Sequence, residues 1–159
     1  MVAQLRAESK RSETLQPGES APAFSMPTQR GGAVSLEQFR GKVLMLDFWA
    51  TWCPPCAEEM PSLVKLAQEY EGRGLGFVAA NRDEPLSAPA AVGVFDARRA
   101  PGISAYVAFA SDDVATRYRA AVLPTLYLID RVGKVESVFT GFTSEELLRE
   151  RIEAALARD

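Results

Sequence analysis

The run Val43-Leu44-Met45-Leu46-Asp47-Phe48-Trp49 is apolar except for Asp47 and predicts a buried strand. After it, Met60, Leu63, Val64, Leu66 and Ala67 recur at spacings of three and four, which predicts a helix from about Pro54 to Tyr70. Proline suits the first turn of such a helix, Pro61 should kink it, and Gly72, Gly74 and Gly76 end it. Leu75 to Ala80 reads as the next strand and Tyr106 to Ala110 as a short one, followed by a helix from Ser111 through about Ala120. Thr125 to Asp130 and Val135 to Thr140 form an antiparallel hairpin with Gly133 at its turn. Thr143-Ser144-Glu145-Glu146 reads as a capping box for a last helix that carries Leu147, Leu148, Ile152, Ala155 and Leu156 on one side. Ahead of the central strand, Pro17 to Pro27 should be extended, and Gly31-Gly32 marks a turn between two short strands. Ser35-Leu36-Glu37-Gln38 fits a capping box over a single helical turn that Gly41 ends. Asn81 to Ala105 is the least patterned stretch; Ser87 could cap a helix through about Arg98, with Val92, Val94 and Phe95 as its apolar contacts.

Residues 1–15 are polar and charged without apolar periodicity, and read as a flexible leader or a frayed terminus; residues 16–159 read as one domain. A length of 159 residues suits a single domain with a sizeable core. The net charge of −3 provides no basic footprint for nucleic acid or an anionic membrane. No apolar run approaches the length of a membrane span, and residues 1–16 contain no apolar segment of the signal-peptide kind. Two settings fit that absence: a cytoplasmic protein, or one from which an export signal or membrane anchor has been removed.

The two cysteines, Cys53 and Cys56, form a single Cys-x-x-Cys pair where the central strand hands over to the helix. Three readings compete. A structural disulfide would close only a short loop and add little stability. Structural zinc takes four ligands, and a chain with no histidine and no third cysteine cannot supply them from one copy. A dithiol that cycles with its disulfide needs the strand-to-helix setting found here, because a helix N-terminus favours the thiolate. A thiolate pair also binds Cu(I), although no His or Met stands beside this one.

Asp47-Phe48-Trp49-Ala50-Thr51-Trp52-Cys53-Pro54-Pro55-Cys56 resembles the active site of the thioredoxin superfamily, and Glu59-Met60-Pro61-Ser62-Leu63 resembles its TlpA/ResA-like branch. Pro22-Ala23-Phe24, Gly41-Lys42-Val43 and Val122-Leu123-Pro124-Thr125 extend the likeness over about residues 16–158. The resemblance implies an α/β thioredoxin fold: a central mixed sheet flanked by helices, with an N-terminal β-hairpin extension and an insert near residues 82–105. It implies a thiol-disulfide oxidoreductase that reduces or exchanges protein disulfides and uses no cofactor and no metal. Its partners would be disulfide-containing protein substrates and an upstream thiol reductant, such as a membrane protein. It also implies a monomer in an extracytoplasmic or periplasmic setting, tethered through a removed segment, with a cytoplasmic general reductase as the alternative. Peroxiredoxins share the upstream architecture but place Thr three residues before the reactive Cys; here Thr51 stands two before Cys53.

On this reading Cys53 is an exposed nucleophile and Cys56 a shielded resolving thiol. Asp47 is either a strand-end residue facing solvent or a buried carboxyl that takes the proton of Cys56; the second matches the buried aspartate of thioredoxins, where many TlpA/ResA-like proteins carry a neutral residue. Glu84 resembles a glutamate near the site in some members, or belongs to a solvated loop. Glu58 and Glu59 should form a charged outer helix face. Pro124 resembles the cis-proline of the fold, which would set the Leu123 backbone beside the cysteines; Gly141 matches a glycine of the same groove. Trp52 would cover one side of Cys53. Histidine, which stands between the cysteines of strong oxidants, is absent here, so a reductase or interchange protein is expected.

Overall fold

A computed structural model describes residues 13–158. Five strands form one mixed sheet in the order β5-β4-β3-β6-β7. They are β3 (Val43–Trp49), β4 (Leu75–Asn81), β5 (Val107–Phe109), β6 (Thr125–Ile129) and β7 (Val135–Thr140). Strand β3 runs parallel to β4 and antiparallel to β6, so the apolar run identified in the sequence lies at the centre. Two short strands, β1 (Ser25–Pro27) and β2 (Ala33–Ser35), pair antiparallel as a separate hairpin.

The alternation of β3 decides what each face receives. Val43, Met45 and Trp49 point to the face covered by α1 (Pro54–Tyr70) and α4 (Glu145–Leu156). Leu44, Leu46 and Phe48 point to the opposite face, where Tyr118, Tyr127, Phe24 and Met26 close the core. Asp47 shares the parity of Met45 and Trp49, which places its carboxyl on the α1 side of a strand buried along its whole length. Helix α2 (Ala88–Arg98) buries Val92 and Phe95 and stacks Phe95 against Trp49, with ring centroids 5.0 Å apart. Val94, expected as an apolar contact, is instead exposed on its outer face. Helix α3 is short, Asp112–Arg117, and is capped by the Ser111 hydroxyl.

Three local expectations are corrected. The last helix is capped one residue later than expected, by Ser144, whose hydroxyl accepts the Leu147 N–H at 3.2 Å. Leu147, expected on the apolar side, is exposed, whereas Leu148 is buried. Ser35 precedes its helical turn without making a side-chain cap. Most of the leader, residues 1–12, lies outside the described residues, but Leu15 is buried in the core. The Tyr127 hydroxyl holds it there, accepting the Leu15 N–H at 3.1 Å and donating to the Tyr118 carbonyl at 2.6 Å. Tyr127→Phe leaves both of these buried groups without a partner. It is expected to lower the unfolding free energy by about 2 kcal/mol, read as a lower urea midpoint at unchanged m-value. A midpoint equal to the parent's would show that this anchor does not hold the N-terminal extension.

Candidate active site

The turn from β3 into α1 is built so that one sulfur faces one backbone donor. Cys53 is the N-cap of α1, in extended conformation, and Pro54 and Pro55 fill the first two helical positions. Neither proline has an N–H, so the first free donor of the helix is the N–H of Cys56, which lies 3.4 Å from Cys53 Sγ. The two cysteines are joined as a disulfide with their Cα atoms 5.2 Å apart. Cys56 is 1% exposed, in keeping with a shielded thiol, but Cys53 is only 4% exposed, not the open surface sulfur expected. The cause is the loop before β6: the Leu123 carbonyl oxygen lies 3.7 Å from Cys53 Sγ.

That loop carries the Leu123–Pro124 peptide bond, which is cis. The Thr125 hydroxyl donates to the Val122 carbonyl at 2.6 Å, and the Pro124 carbonyl accepts the Gly141 N–H at 2.9 Å, tying the loop to the end of β7. Gly141 has φ +77 with open space where a Cβ would lie, so backbone conformation rather than room selects glycine. Leu123 and Val122 continue into an open groove of about 850 Å³ that also meets Trp52, Arg82, Asp112 and Arg119. Trp52 is 68% exposed and forms one wall of this groove.

Two carboxyls are buried between β3 and α1, Asp47 on the strand and Glu59 on the helix. Asp47 is fully buried, and neither of its oxygens has a hydrogen-bond partner among the described residues. Burial, and then the neighbouring Glu59, holds its pKa well above the usual carboxylate range. Glu59 corrects the expected outer face: Glu58 is exposed, whereas Glu59 is buried. Its Oε2 accepts the Thr143 N–H at 2.7 Å, which links α1 to the segment after Gly141. Burial raises the Glu59 pKa to about 7, against the lowering effect of that hydrogen bond. The signal for Glu59 was in the sequence: it stands three residues after Cys56 and four before Leu63, on the buried stripe of the helix.

Glu84 does not join the pair. It is exposed, and its carbonyl accepts the Ser87 and Ala88 N–H groups at 3.0 and 2.9 Å, where α2 begins. The acid that reaches the cysteine loop is its neighbour Asp83, which the sequence reading had not singled out. Asp83 accepts from the Thr51 N–H at 2.8 Å and from the Thr51 hydroxyl.

The sequence model of the Redoxin family matches residues 16–156. Thiol-disulfide oxidoreductase ResA of Geobacillus thermodenitrificans (strain NG80-2) is 35% identical over 138 residues, covering 86% of this chain and 76% of that protein. Thioredoxin-like protein YneN of Bacillus subtilis (strain 168) is 30% identical over 145 residues, covering 91% of this chain and 84% of YneN. Among solved structures, a Chlorobium tepidum protein provisionally assigned as thiol:disulfide interchange protein DsbE superposes with a TM-score of 0.80 at 35% identity, covering 91% of this chain and all of that one.

Proposed function

The chain belongs to the Redoxin family and, within the thioredoxin superfamily, to the TlpA/ResA-like thiol-disulfide oxidoreductases, and on that premise we propose that it reduces protein disulfides through Cys53 and Cys56. The observation that carries the proposal is the position of Cys53 Sγ between the Cys56 N–H and the carbonyl of Leu123, a residue that lines the open groove.

The chemistry follows in two exchanges. The Cys53 thiolate attacks one sulfur of a substrate disulfide; the new Cys53–substrate bond forms as the substrate disulfide breaks, and one substrate thiolate leaves. Cys56 then loses its proton to the Asp47–Glu59 carboxyl pair and attacks Cys53 Sγ. The second substrate thiolate leaves, and the Cys53–Cys56 disulfide remains. Two electrons pass to the substrate, and an upstream dithiol must return them. The Leu123 backbone, the Trp52 ring and the exposed Val122 offer an extended substrate segment a strand-like partner and apolar walls.

The direction of electron flow comes from electrostatics. A strong oxidant stabilises its reduced, thiolate form. Here the Cys53 thiolate has one N–H from the helix start and two prolines that offer none. So few donors stabilise the thiolate weakly and favour the disulfide product, which makes the dithiol a reductant. The expected equilibrium with glutathione places the pair near the potential of thioredoxin, about −270 mV; a value near −120 mV would overturn the reductant assignment.

An extracytoplasmic setting is part of the same proposal and rests on the resemblance to TlpA/ResA-like proteins. No helix among the described residues is long and apolar enough to cross a membrane. The folded domain includes Leu15, which is buried in the core, and continues through the last helix.

A further inference from the structure

The loop Ala50-Thr51-Trp52 has little backbone bonding of its own: the Cys53 N–H donates to the Ala50 carbonyl at 3.3 Å. What fixes the loop is a side-chain ring from the end of β4. Asp83 Oδ1 accepts from the Thr51 N–H at 2.8 Å and from Asn81 Nδ2 at 3.0 Å, and Asp83 Oδ2 accepts from the Thr51 hydroxyl. The Asp83 N–H donates in turn to Asn81 Oδ1 at 2.9 Å. Asn81 is buried and stands opposite Trp49 in the parallel pairing of β3 and β4, so the ring is rooted where both strands end. The Arg82 N–H completes the join by donating to the Trp49 carbonyl at 2.8 Å.

While the disulfide is closed, the covalent bond itself holds Cys53 against the helix. Once it opens, the Cys53 side chain is free to rotate, and the backbone that carries it is held by its bond to the Ala50 carbonyl, by this ring and by the helix start. We propose that Asp83 is a positioning residue for the reduced enzyme: by clamping Thr51 it keeps the Cys53 thiolate within reach of the Cys56 N–H. The inference rests on Cys53 as the attacking sulfur. It goes beyond that assignment by naming what holds the sulfur in place when no covalent bond does. It also predicts a loss of the short N–H···S contact when the clamp is cut, which raises the thiol pKa toward that of a free cysteine.

The test is the rate of Cys53 alkylation by iodoacetamide against pH in fully reduced protein, followed by peptide mass, with insulin reduction measured beside it. Asp83→Ala is expected to move the alkylation midpoint up by about one pH unit and to lower kcat/KM about tenfold at pH 7. Asp83→Asn keeps an oxygen for the Thr51 N–H and is expected to restore at least half of both effects. A purely structural role would lower the melting temperature of Asp83→Ala and leave its midpoint with the parent's, which would overturn the proposal. A role through charge alone would move the midpoint down, and equally in both variants, which would overturn it too. Thr51→Val removes only the hydroxyl bond and is expected to move the midpoint upward by less; it carries the same test if Asp83→Ala does not fold. A parent that failed to reduce insulin would count against the dithiol function, whereas a normal parent with unshifted variants counts against the clamp alone.

Discussion

Cys56→Ser is expected to accumulate a covalent adduct with its disulfide substrate, and Cys53→Ser to form none. With Cys56 in place, the resolving attack is intramolecular, between sulfurs that the first turn of α1 holds in bonding register. Such proximity is worth many powers of ten in effective concentration. Without it, the Cys53–substrate disulfide must wait for an external thiol, and turnover should fall on the order of a thousandfold or more. Cys53→Ser removes the sulfur at the helix N-cap and leaves one whose residue is 1% exposed, so neither adduct nor turnover is expected. Non-reducing gels and intact mass after mixing with a disulfide substrate distinguish the two. An adduct on Cys53→Ser and none on Cys56→Ser would reverse the roles assigned to the sulfurs.

The parts of this site that could be read from the sequence are those fixed by neighbours in the chain. The seven residues of β3, the seventeen of α1 and the two prolines at its start follow from local pattern and from where proline is tolerated. The cysteine pair at the junction is a consequence of those two elements. The fully buried strand had one ambiguity, the face on which Asp47 lies, because an apolar run without alternation does not say which side is which. Only the docking of α1 and α4 against Met45 and Trp49 resolves it.

What sequence reading missed was set by distant partners or by letting residue type outweigh spacing. Leu15 is a lone apolar residue in a polar stretch, and its burial depends on a tyrosine 112 positions away. Glu59 reads with Glu58 as a charged outer face that complements the helix N-terminus, although its spacing from Cys56 and Leu63 puts it inside. The loop after β4 shows how one position changes an outcome: Glu84 faces water while Asp83 turns back to Thr51. No periodic pattern governs that loop, so its two adjacent acids could not be ranked by spacing. Cys53 was expected in the open because its chemistry asks for access, but the Leu123 carbonyl stands over it in the oxidised state.

Glu59→Gln and Asp47→Asn should each make the protein more stable at pH 8 and less able to complete its reaction. The sign follows from linkage. A carboxyl whose pKa is raised by folding binds its proton more tightly in the folded state than in the unfolded state. Its contribution is therefore fully present below the unfolded value and is lost as pH rises to the folded value. For Glu59 that window runs from 4.5 to about 7, and the loss across it is on the order of 3 kcal/mol. Asp47, buried with both oxygens unpartnered, adds a loss of the same sign that extends above its own unfolded range. The parent should thus lose stability steadily from pH 4.5 to 8, and Glu59→Gln should show a flatter profile that crosses the parent's as pH rises. The same variants remove a proton acceptor for Cys56, so the resolving step should slow by about a hundredfold at pH 7, the scale of a lost general base. Because the two acids titrate as a pair, removing either should also shift the pH at which the other responds. Urea unfolding across pH measures the first effect, and stopped-flow decay of the mixed disulfide measures the second. A Glu59→Gln protein whose stability profile ran parallel to the parent's, with resolution at the parent's rate, would remove the carboxyl pair from both the energetics and the chemistry.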